Sequence, residues 1–149
     1  MKNDVLVILA GGYGKRLHKI TKGKIPKPIV EFNNKPFLYH LIQQLTKYNF
    51  KKIYILAGFK GNLIKKKFHN KKINNTKIFC IIEKKPKGTG GALKNLSKII
   101  KKNFILINGD TFFKINYNFL INFDLNKYYG LMILTKGYFN SFTKKLNNL

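Results

Sequence analysis

An unbroken apolar run near the amino terminus constrains the fold more than any other feature of the sequence. Every residue from Val5 to Leu9 is apolar, and Ala10, Gly11 and Gly12 follow directly. A strand with apolar side chains on both faces is typical of a parallel sheet that helices cover on either side. The run therefore predicts a buried central strand that opens into a glycine loop.

The other apolar segments alternate between strand-like and helix-like patterns. Further strands are predicted over residues 53–57, 78–82, 104–107 and 131–134. Helices are predicted after Pro36, over residues 62–68 and after Thr89, which is a suitable capping residue. The expected inward stripe of the last helix comprises Ala92, Leu93, Leu96, Ile99 and Ile100. Short strands that alternate with amphipathic helices indicate a three-layer α/β/α fold with a mostly parallel sheet.

Two regions rich in lysine and asparagine show little sign of a core. Residues 65–77 are expected to form a solvated, mobile loop, and residues 136–149 a polar tail. Residues 119–128 fit no single pattern. Because 149 residues with 44% apolar content suit one hydrophobic core, we expect a single domain over residues 1–149.

The formal net charge of +25 comes almost entirely from lysine, since Arg16 is the one arginine and only five residues are acidic. Clustered cations would favour a nucleic-acid partner, because they displace counterions from phosphates. Here the lysines are spread along the chain among abundant Asn, Ile, Phe and Tyr, which AT-rich codons specify. We therefore expect no nucleic-acid partner, and keep a basic nucleic-acid-binding module as an alternative.

Cysteine, histidine and hydrophobicity patterns argue against several other classes. Cys80 is the single cysteine, so it forms no intramolecular disulfide, and its apolar surroundings predict a buried strand position. His18, His40 and His69 lack a metal-binding spacing. No segment approaches the roughly 18 apolar residues of a membrane span, and the start lacks a signal-peptide cleavage site. We expect a cytoplasmic protein without a membrane partner, and the sequence leaves a homo-oligomer open.

The segment LAGGYGKRL, residues 9–17, places three glycines directly after the buried strand. Without side chains to block the approach, the backbone amides of such a loop can surround phosphate oxygens. Arg16 adds a planar, permanently charged group that can hold two phosphate oxygens at once. The spacing matches neither the dinucleotide fingerprint nor the Walker motif, so a tight turn with an exposed arginine is the alternative.

A second motif places Lys27 between Pro26 and Pro28. A residue before proline is pushed out of the helical region, so we expect an extended segment that aims the Lys27 side chain. A solvated surface lysine is the alternative.

Four motifs in a fixed order make the sequence recognisable. LAGGYGKRL is followed by PKPIVEFNNKPFLYHLI, EKKPKGTGGAL and INGDTFF. Together they resemble the nucleotidyltransferases that activate sugar 1-phosphates, whose fold is Rossmann-like. Among these, the motifs look most like the guanylyltransferases that act on D-glycero-D-manno-heptose 1-phosphate, with those that act on mannose 1-phosphate close behind. The resemblance runs from about Val5 to Leu134.

The resemblance implies an enzyme that transfers a nucleoside monophosphate, here GMP from GTP, to a sugar 1-phosphate and releases pyrophosphate. Arg16 and Lys27 would be catalytic, because they neutralise charge as the sugar-phosphate oxygen attacks the α-phosphorus. The nucleotide would be bound by Leu9, Ala10, Gly11, Gly12 and Gly14. Lys15 stands where the family often has a small hydroxyl residue, and we assign it no role.

Two acidic residues would complete this part of the site. Glu83, together with Gly88 and Thr89, would lie beside the base, where one carboxylate can accept both adjacent donors of guanine. A solvated strand-end acid among lysines is the alternative. Asp110, at the end of a buried strand, would hold Mg²⁺, the implied cofactor, against substrate phosphates, or else would cap the following turn.

Family members use a second acid and sugar-binding residues much further along the chain than this sequence extends. The expectation is therefore an amino-terminal nucleotide-binding part, with the carboxyl-terminal sugar-binding part missing. A catalytically inactive nucleotide-binding remnant or subunit is the corresponding alternative.

Overall fold

A five-stranded sheet forms the centre of the computed structural model, which describes residues 2–14, 17, 21–83 and 88–134. The described strands, five in this sheet and two in a separate hairpin, are β1 (Val5–Ala10), β2 (Glu31–Phe32), β3 (Lys35–Pro36), β4 (Lys52–Ala57), β5 (Lys72–Ile73), β6 (Thr76–Ile82) and β7 (Ile105–Asn108). The α-helices described are α1 (Phe37–Leu45), α2 (Gly61–Phe68), α3 (Gly88–Leu96) and α4 (Tyr117–Asn122). A short 3-10 turn spans Lys27–Ile29, and β2 pairs with β3 in a separate hairpin.

The strand order of the sheet is β5-β6-β4-β1-β7. The four longer strands run parallel, and the short β5 is antiparallel to β6. From β1 the chain moves outward through β4 to β6, and it then returns to add β7 on the other side of β1. Because the direction of strand addition reverses at β1, a crevice opens between the loops that follow β1 and β7.

The apolar run of β1 explains the layers on the two faces of the sheet. Leu6 and Ile8 belong to one buried cluster, which includes residues of α1, α2 and α4. Val5 and Val7 belong to another, which includes residues of α3. Successive strand residues point to opposite faces, so β1 contributes to both cores. The predicted α/β fold with a mostly parallel sheet is confirmed.

Polar residues hold the amino-terminal end of β1 in place. The Asn3 amide donates to two backbone carbonyls at the end of α4, at 2.8 and 3.0 Å. Asp4 is buried and forms ion pairs with Lys102 at 2.5 Å and Lys51 at 3.5 Å. The hydrogen bond from Lys102 is the largest cause that holds the Asp4 pKa below its ordinary value. Charge at this end is therefore compensated locally.

Sequence patterns locate most of the longer elements well. The boundaries predicted for β1, β4, α2, β6 and β7 agree with the structure to within two residues, and α1 begins directly after Pro36. Cys80 is buried in β6 as predicted, and its burial raises the pKa of the thiol to about 11. Within the described ranges, none of the helices has the length and apolar character needed to cross a membrane.

The strand predicted over residues 131–134 is wrong. These residues have no regular secondary structure, and their side chains are 37–70% exposed. In the part of the chain that the structure describes, they pair with no strand of the sheet. Apolar and β-branched composition favours a strand only where a neighbour covers it.

The solvated loop predicted over residues 65–77 is also wrong. This segment ends α2, forms β5 and begins β6, with Phe68 and Thr76 buried. Asn70 and Asn74 adopt φ values of 58° and 50°, which asparagine tolerates in tight turns. The asparagines are therefore turn residues within ordered structure.

Two expectations for α3 need correction. Thr89 is the second residue of the helix and not its cap, because α3 already begins at Gly88. Ile99 is 55% exposed, since α3 ends at Leu96 and the turn that follows carries Ile99 away from the sheet. The rest of the predicted stripe is buried or partly buried.

Candidate functional site

A cleft of about 330 Å³ lies at the carboxyl ends of β1 and β7. This is where the strand order reverses, and therefore where an open α/β sheet ordinarily binds its ligand. The cleft is lined by Leu9, Ala10, Gly12, Gly14, Leu17, Lys27, Pro28 and Asp110. Four predicted nucleotide-binding residues thus meet the predicted catalytic lysine and the predicted metal ligand in one place.

Glycine at position 14 allows the loop after β1 to lie against Lys27. Gly14 has a φ of 61°, in the left-handed region that residues with a Cβ atom rarely adopt. A Cβ atom at Gly14 would also lie 3.2 Å from the Cβ atom of Lys27. This close approach brings the backbone of the loop beside a cationic side chain, as binding of an anion requires.

The turn between β4 and α2 supports the glycine loop from one side. The Phe59 amide donates to the Gly11 carbonyl at 3.1 Å, and the Phe59 ring lies 5.2 Å from the ring of Tyr13. A Cβ atom at Gly58 would lie 2.7 Å from the same Gly11 oxygen, so only glycine fits there. Lys60 Nζ donates to the Lys24 carbonyl at 3.0 Å, which joins the turn to the segment before Lys27.

Gly109 supports the opposite side of the same loop. Its amide donates to the Leu9 carbonyl at 2.8 Å, and a Cβ atom on it would lie 2.8 Å from that oxygen. This contact fixes the start of the glycine loop against the loop that carries Asp110. The strand ends of β4 and β7 therefore hold the loop from both sides.

Lys27 and Asp110 form an ion pair across the cleft. Lys27 Nζ donates to Asp110 Oδ2 at 2.7 Å, with the two side chains 38% and 40% exposed. The Thr111 hydroxyl donates to the other oxygen, Oδ1, at 3.1 Å. The hydrogen bond from Lys27 is the largest cause that lowers the Asp110 pKa, although partial burial opposes it. Asp110 is therefore a carboxylate at neutral pH.

The backbone at Lys27 differs from the prediction. The extended conformation expected before Pro28 is wrong, because Lys27 is the first residue of the 3-10 turn Lys27–Ile29. Pro26 supplies the extended residue instead, with ψ 147°. The turn is anchored by the buried Pro28 and Ile29, so the lysine backbone is held while its side chain reaches Asp110.

Glu83 lies beside the glycine loop. Its Oε2 is 3.7 Å from the position that a Cβ atom on Gly11 would take, and its amide donates to the Ala57 carbonyl at 2.8 Å. Gly88 and Thr89 begin α3 and are exposed. None of these three is among the described residues that line the cleft. All three lie at the same carboxyl-terminal end of the sheet as the cleft, and Glu83 also approaches the glycine loop.

Arg16 and Lys15 lie outside the described residues, as do residues 84–87 of the third motif. The sequence patterns predict no role for four residues that line or support the cleft: Leu17, Pro28, Gly58 and Thr111. Gly58 carried a usable signal, because it ends a buried strand as Gly11 does. Nothing in the sequence indicated that the two glycines touch.

Among the described residues, the cleft combines backbone amides, the ammonium group of Lys27 and the carboxylate of Asp110 at the end of a parallel sheet. Such a set can bind a phosphate-bearing ligand through the amides and the lysine. The carboxylate of Asp110 could hold a divalent cation.

Comparison with known proteins identifies the family. The family model described as nucleotidyl transferase matches residues 5–138. The chain belongs to the nucleotidyl transferase family. Among the members it resembles, the D-glycero-alpha-D-manno-heptose 1-phosphate guanylyltransferase of Campylobacter jejuni is 42% identical over 110 residues. The enzyme of the same name from Aneurinibacillus thermoaerophilus is 37% identical over 111 residues.

A solved structure also has the same fold. The crystal structure of HddC from Yersinia pseudotuberculosis aligns with a TM-score of 0.69 and 42% identity, and it covers 81% of this chain and 53% of that one. A second crystal structure of that protein is a complex with GMP-PN. The matches to the C. jejuni and A. thermoaerophilus enzymes cover 74% of this chain but 49% and 47% of theirs. The chain thus spans about half the length of these three relatives.

Proposed function

We propose that this nucleotidyl transferase joins GMP from GTP to a sugar 1-phosphate, a heptose or a mannose, and releases pyrophosphate. The observation that carries the proposal is the Lys27–Asp110 pair, which faces the glycine loop within one cleft. The relatives support the choice of sugar and base, because the two bacterial enzymes named above are guanylyltransferases of heptose 1-phosphate.

The chemistry requires positioning and charge neutralisation more than covalent help from the protein. An oxygen of the sugar phosphate attacks the α-phosphorus of the triphosphate, and the bond from that phosphorus to the bridging oxygen breaks. The glycine loop would hold the triphosphate through its backbone amides. Lys27 and Arg16 would neutralise the negative charge that accumulates as pyrophosphate leaves.

Asp110 fits a magnesium ion held jointly by the protein and the substrate. The described residues contain no cluster of three His, Cys, Asp or Glu side chains, so an all-protein metal site is absent from that part of the chain. Mg²⁺ needs only one or two carboxylates when substrate phosphates supply further ligands. Asp110 lines the cleft and provides one such carboxylate. When bound, the ion would neutralise charge on the phosphates.

Glu83 is the proposed reader of guanine. Its carboxylate lies next to the loop that would hold the triphosphate, and one carboxylate can accept from both N1 and N2 of guanine. Gly88 and Thr89 would contribute backbone amides at the same sheet edge. The assignment predicts that Glu83→Gln loses the preference for GTP over ATP while still binding triphosphate.

A thermal melt tests the proposal first, because a ligand that binds only the folded state raises the melting temperature. The chain is heated with Mg²⁺ and each of GTP, ATP, UTP and CTP. We expect GTP to raise the melting temperature most, and Glu83→Gln to remove that selectivity. Glu31→Gln is the matched control, since Glu31 is an exposed acid on the β2–β3 hairpin and forms an ion pair with Lys67 of α2. An equal response to all four triphosphates would contradict the guanine assignment.

Pyrophosphate release then separates an enzyme from a binding subunit. The chain is incubated with GTP, Mg²⁺ and heptose 1-phosphate or mannose 1-phosphate. The second candidate function is nucleotide binding without turnover. GTP binding without release of pyrophosphate from GTP in the presence of either sugar 1-phosphate would support that candidate and refute transfer by this chain alone.

A further inference from the structure

The two oxygens of Asp110 have different partners. Oδ1 accepts a hydrogen bond from the Thr111 hydroxyl at 3.1 Å, and Oδ2 accepts one from the Lys27 ammonium at 2.7 Å. The hydroxyl is neutral and belongs to the adjacent residue, whereas the ammonium carries a full charge and arrives from 83 positions away. Among the residues that the structure describes, Lys27 therefore supplies a cationic partner of Asp110.

We infer that Lys27 competes with the divalent metal ion for Asp110, so that the nucleotide-free protein binds the metal weakly until a triphosphate draws Lys27 away. The inference rests on the function proposed above. A metal ion bound to Oδ2 at about 2.1 Å would lie within about 5 Å of an ammonium that stays where it is. With no phosphate between the two cations, their repulsion opposes simultaneous binding.

The lysine can leave without disturbing the loop. Its backbone is fixed by the 3-10 turn and by the contact with Gly14, but its ammonium sits on a flexible four-carbon chain and is 38% exposed. Thr111 remains bonded to Oδ1 and would keep the carboxylate oriented. Triphosphate oxygens in the cleft would provide Lys27 with a new acceptor. Metal and nucleotide should therefore bind with positive coupling.

Direct binding of Mn²⁺ to the nucleotide-free protein tests the inference. Free Mn²⁺ is measured by electron paramagnetic resonance during a titration, so that no turnover is needed. Lys27→Met removes the competing ammonium, and we expect its Mn²⁺ dissociation constant to fall by about tenfold or more. Lys35→Met is the matched control, because it removes the same charge from β3, outside the cleft lining. Asp110→Asn in the Lys27→Met background should abolish the gain.

Lys27→Met also removes a positive charge from the cleft, which could by itself raise the affinity for Mn²⁺. This general effect must be distinguished from direct competition for Asp110 Oδ2. The titrations are therefore repeated at 0.1 M and 0.5 M salt, where screening weakens effects that act at a distance. A gain that persists at 0.5 M salt supports the inference. Equal Mn²⁺ affinity in the parent and in both Lys27→Met and Lys27→Gln overturns it, provided that a cooperative melt shows each variant folded. A gain shared by Lys35→Met also overturns it.

Failure of the inference and failure of the proposed function give different results. If GTP stabilises the parent but Lys27→Met gains no Mn²⁺ affinity, the competition is refuted and the nucleotide site stands. If Lys27→Met gains Mn²⁺ affinity but no triphosphate raises the melting temperature, the competition is supported and the proposed function fails.

Discussion

Replacement of Gly58 by alanine tests whether the β4–α2 turn holds the glycine loop. The added methyl group would lie 2.7, 3.0 and 3.2 Å from the O, Cα and C atoms of Gly11. All three are backbone atoms, so no side-chain rotation relieves the overlap, and either the turn or the loop must move. Overpacking of this kind costs about 1–3 kcal/mol. At roughly 3 °C for each kcal/mol in a domain of this size, the melting temperature should fall by about 3–9 °C.

Thermal and urea melts of Gly58→Ala measure the loss, with Gly90→Ala as the matched control. Gly90 lies inside α3, and a Cβ atom there would meet nothing within 4 Å. Both substitutions restrict the unfolded chain equally, but alanine in a helix interior stabilises by up to about 1 kcal/mol. We expect Gly90→Ala to melt at or above the parent temperature. If Gly58→Ala did the same, the close contact between the two loops would be refuted.

Three further predictions concern stability. The pKa of Asp4 is lowered in the folded state, so its ion pairs stabilise the fold above the ordinary pKa of 3.8 and are lost as the pH falls below it. Asp4→Asn should therefore lose less urea stability than the parent as the pH falls below 3.8. The pKa of Cys80 is raised to about 11, so stability should fall as the pH rises from about 9, and iodoacetamide should label the thiol slowly in folded protein and rapidly in urea. Leu38 is fully buried, so Leu38→Ala should lose about 2–5 kcal/mol in a urea melt; a loss below about 1 kcal/mol would contradict the packing described for α1.

Sequence patterns predict elements whose signal is local and long enough to repeat. The run from Val5 to Leu9 predicts β1 because both faces of the strand are covered, so every residue in the run is apolar. Strands of two residues such as β5 are too short to show an alternating pattern of apolar and polar residues. β5 forms because it pairs with the neighbouring strand β6. Residues 131–134 show the converse, since an apolar run without a pairing strand stays irregular.

Some residues of the candidate site are predicted by local motifs, whereas the contacts between those motifs are not. Gly14, Lys27 and Asp110 were each found from their own motif, and the strand order brings these motifs to one cleft. The contact of Gly58 with Gly11 joins two glycine-ended strands, and only the pairing of β1 with β4 places them together. The hydrogen bond from Thr111 depends on a side-chain rotamer, which no spacing in the sequence records.

In the part of the chain that the structure describes, β7 pairs with β1 alone and leaves its other edge open. Leu106 on this strand is 38% exposed, and an open edge with apolar side chains invites a strand from another copy. The net charge of +25 opposes such contact, because identical cations on approaching copies repel. The range of that repulsion shrinks from about 10 Å in 0.1 M salt to about 3 Å in 1 M salt. Concentrated salt should therefore favour association of copies through the described edge of β7, which light scattering at increasing ionic strength would detect.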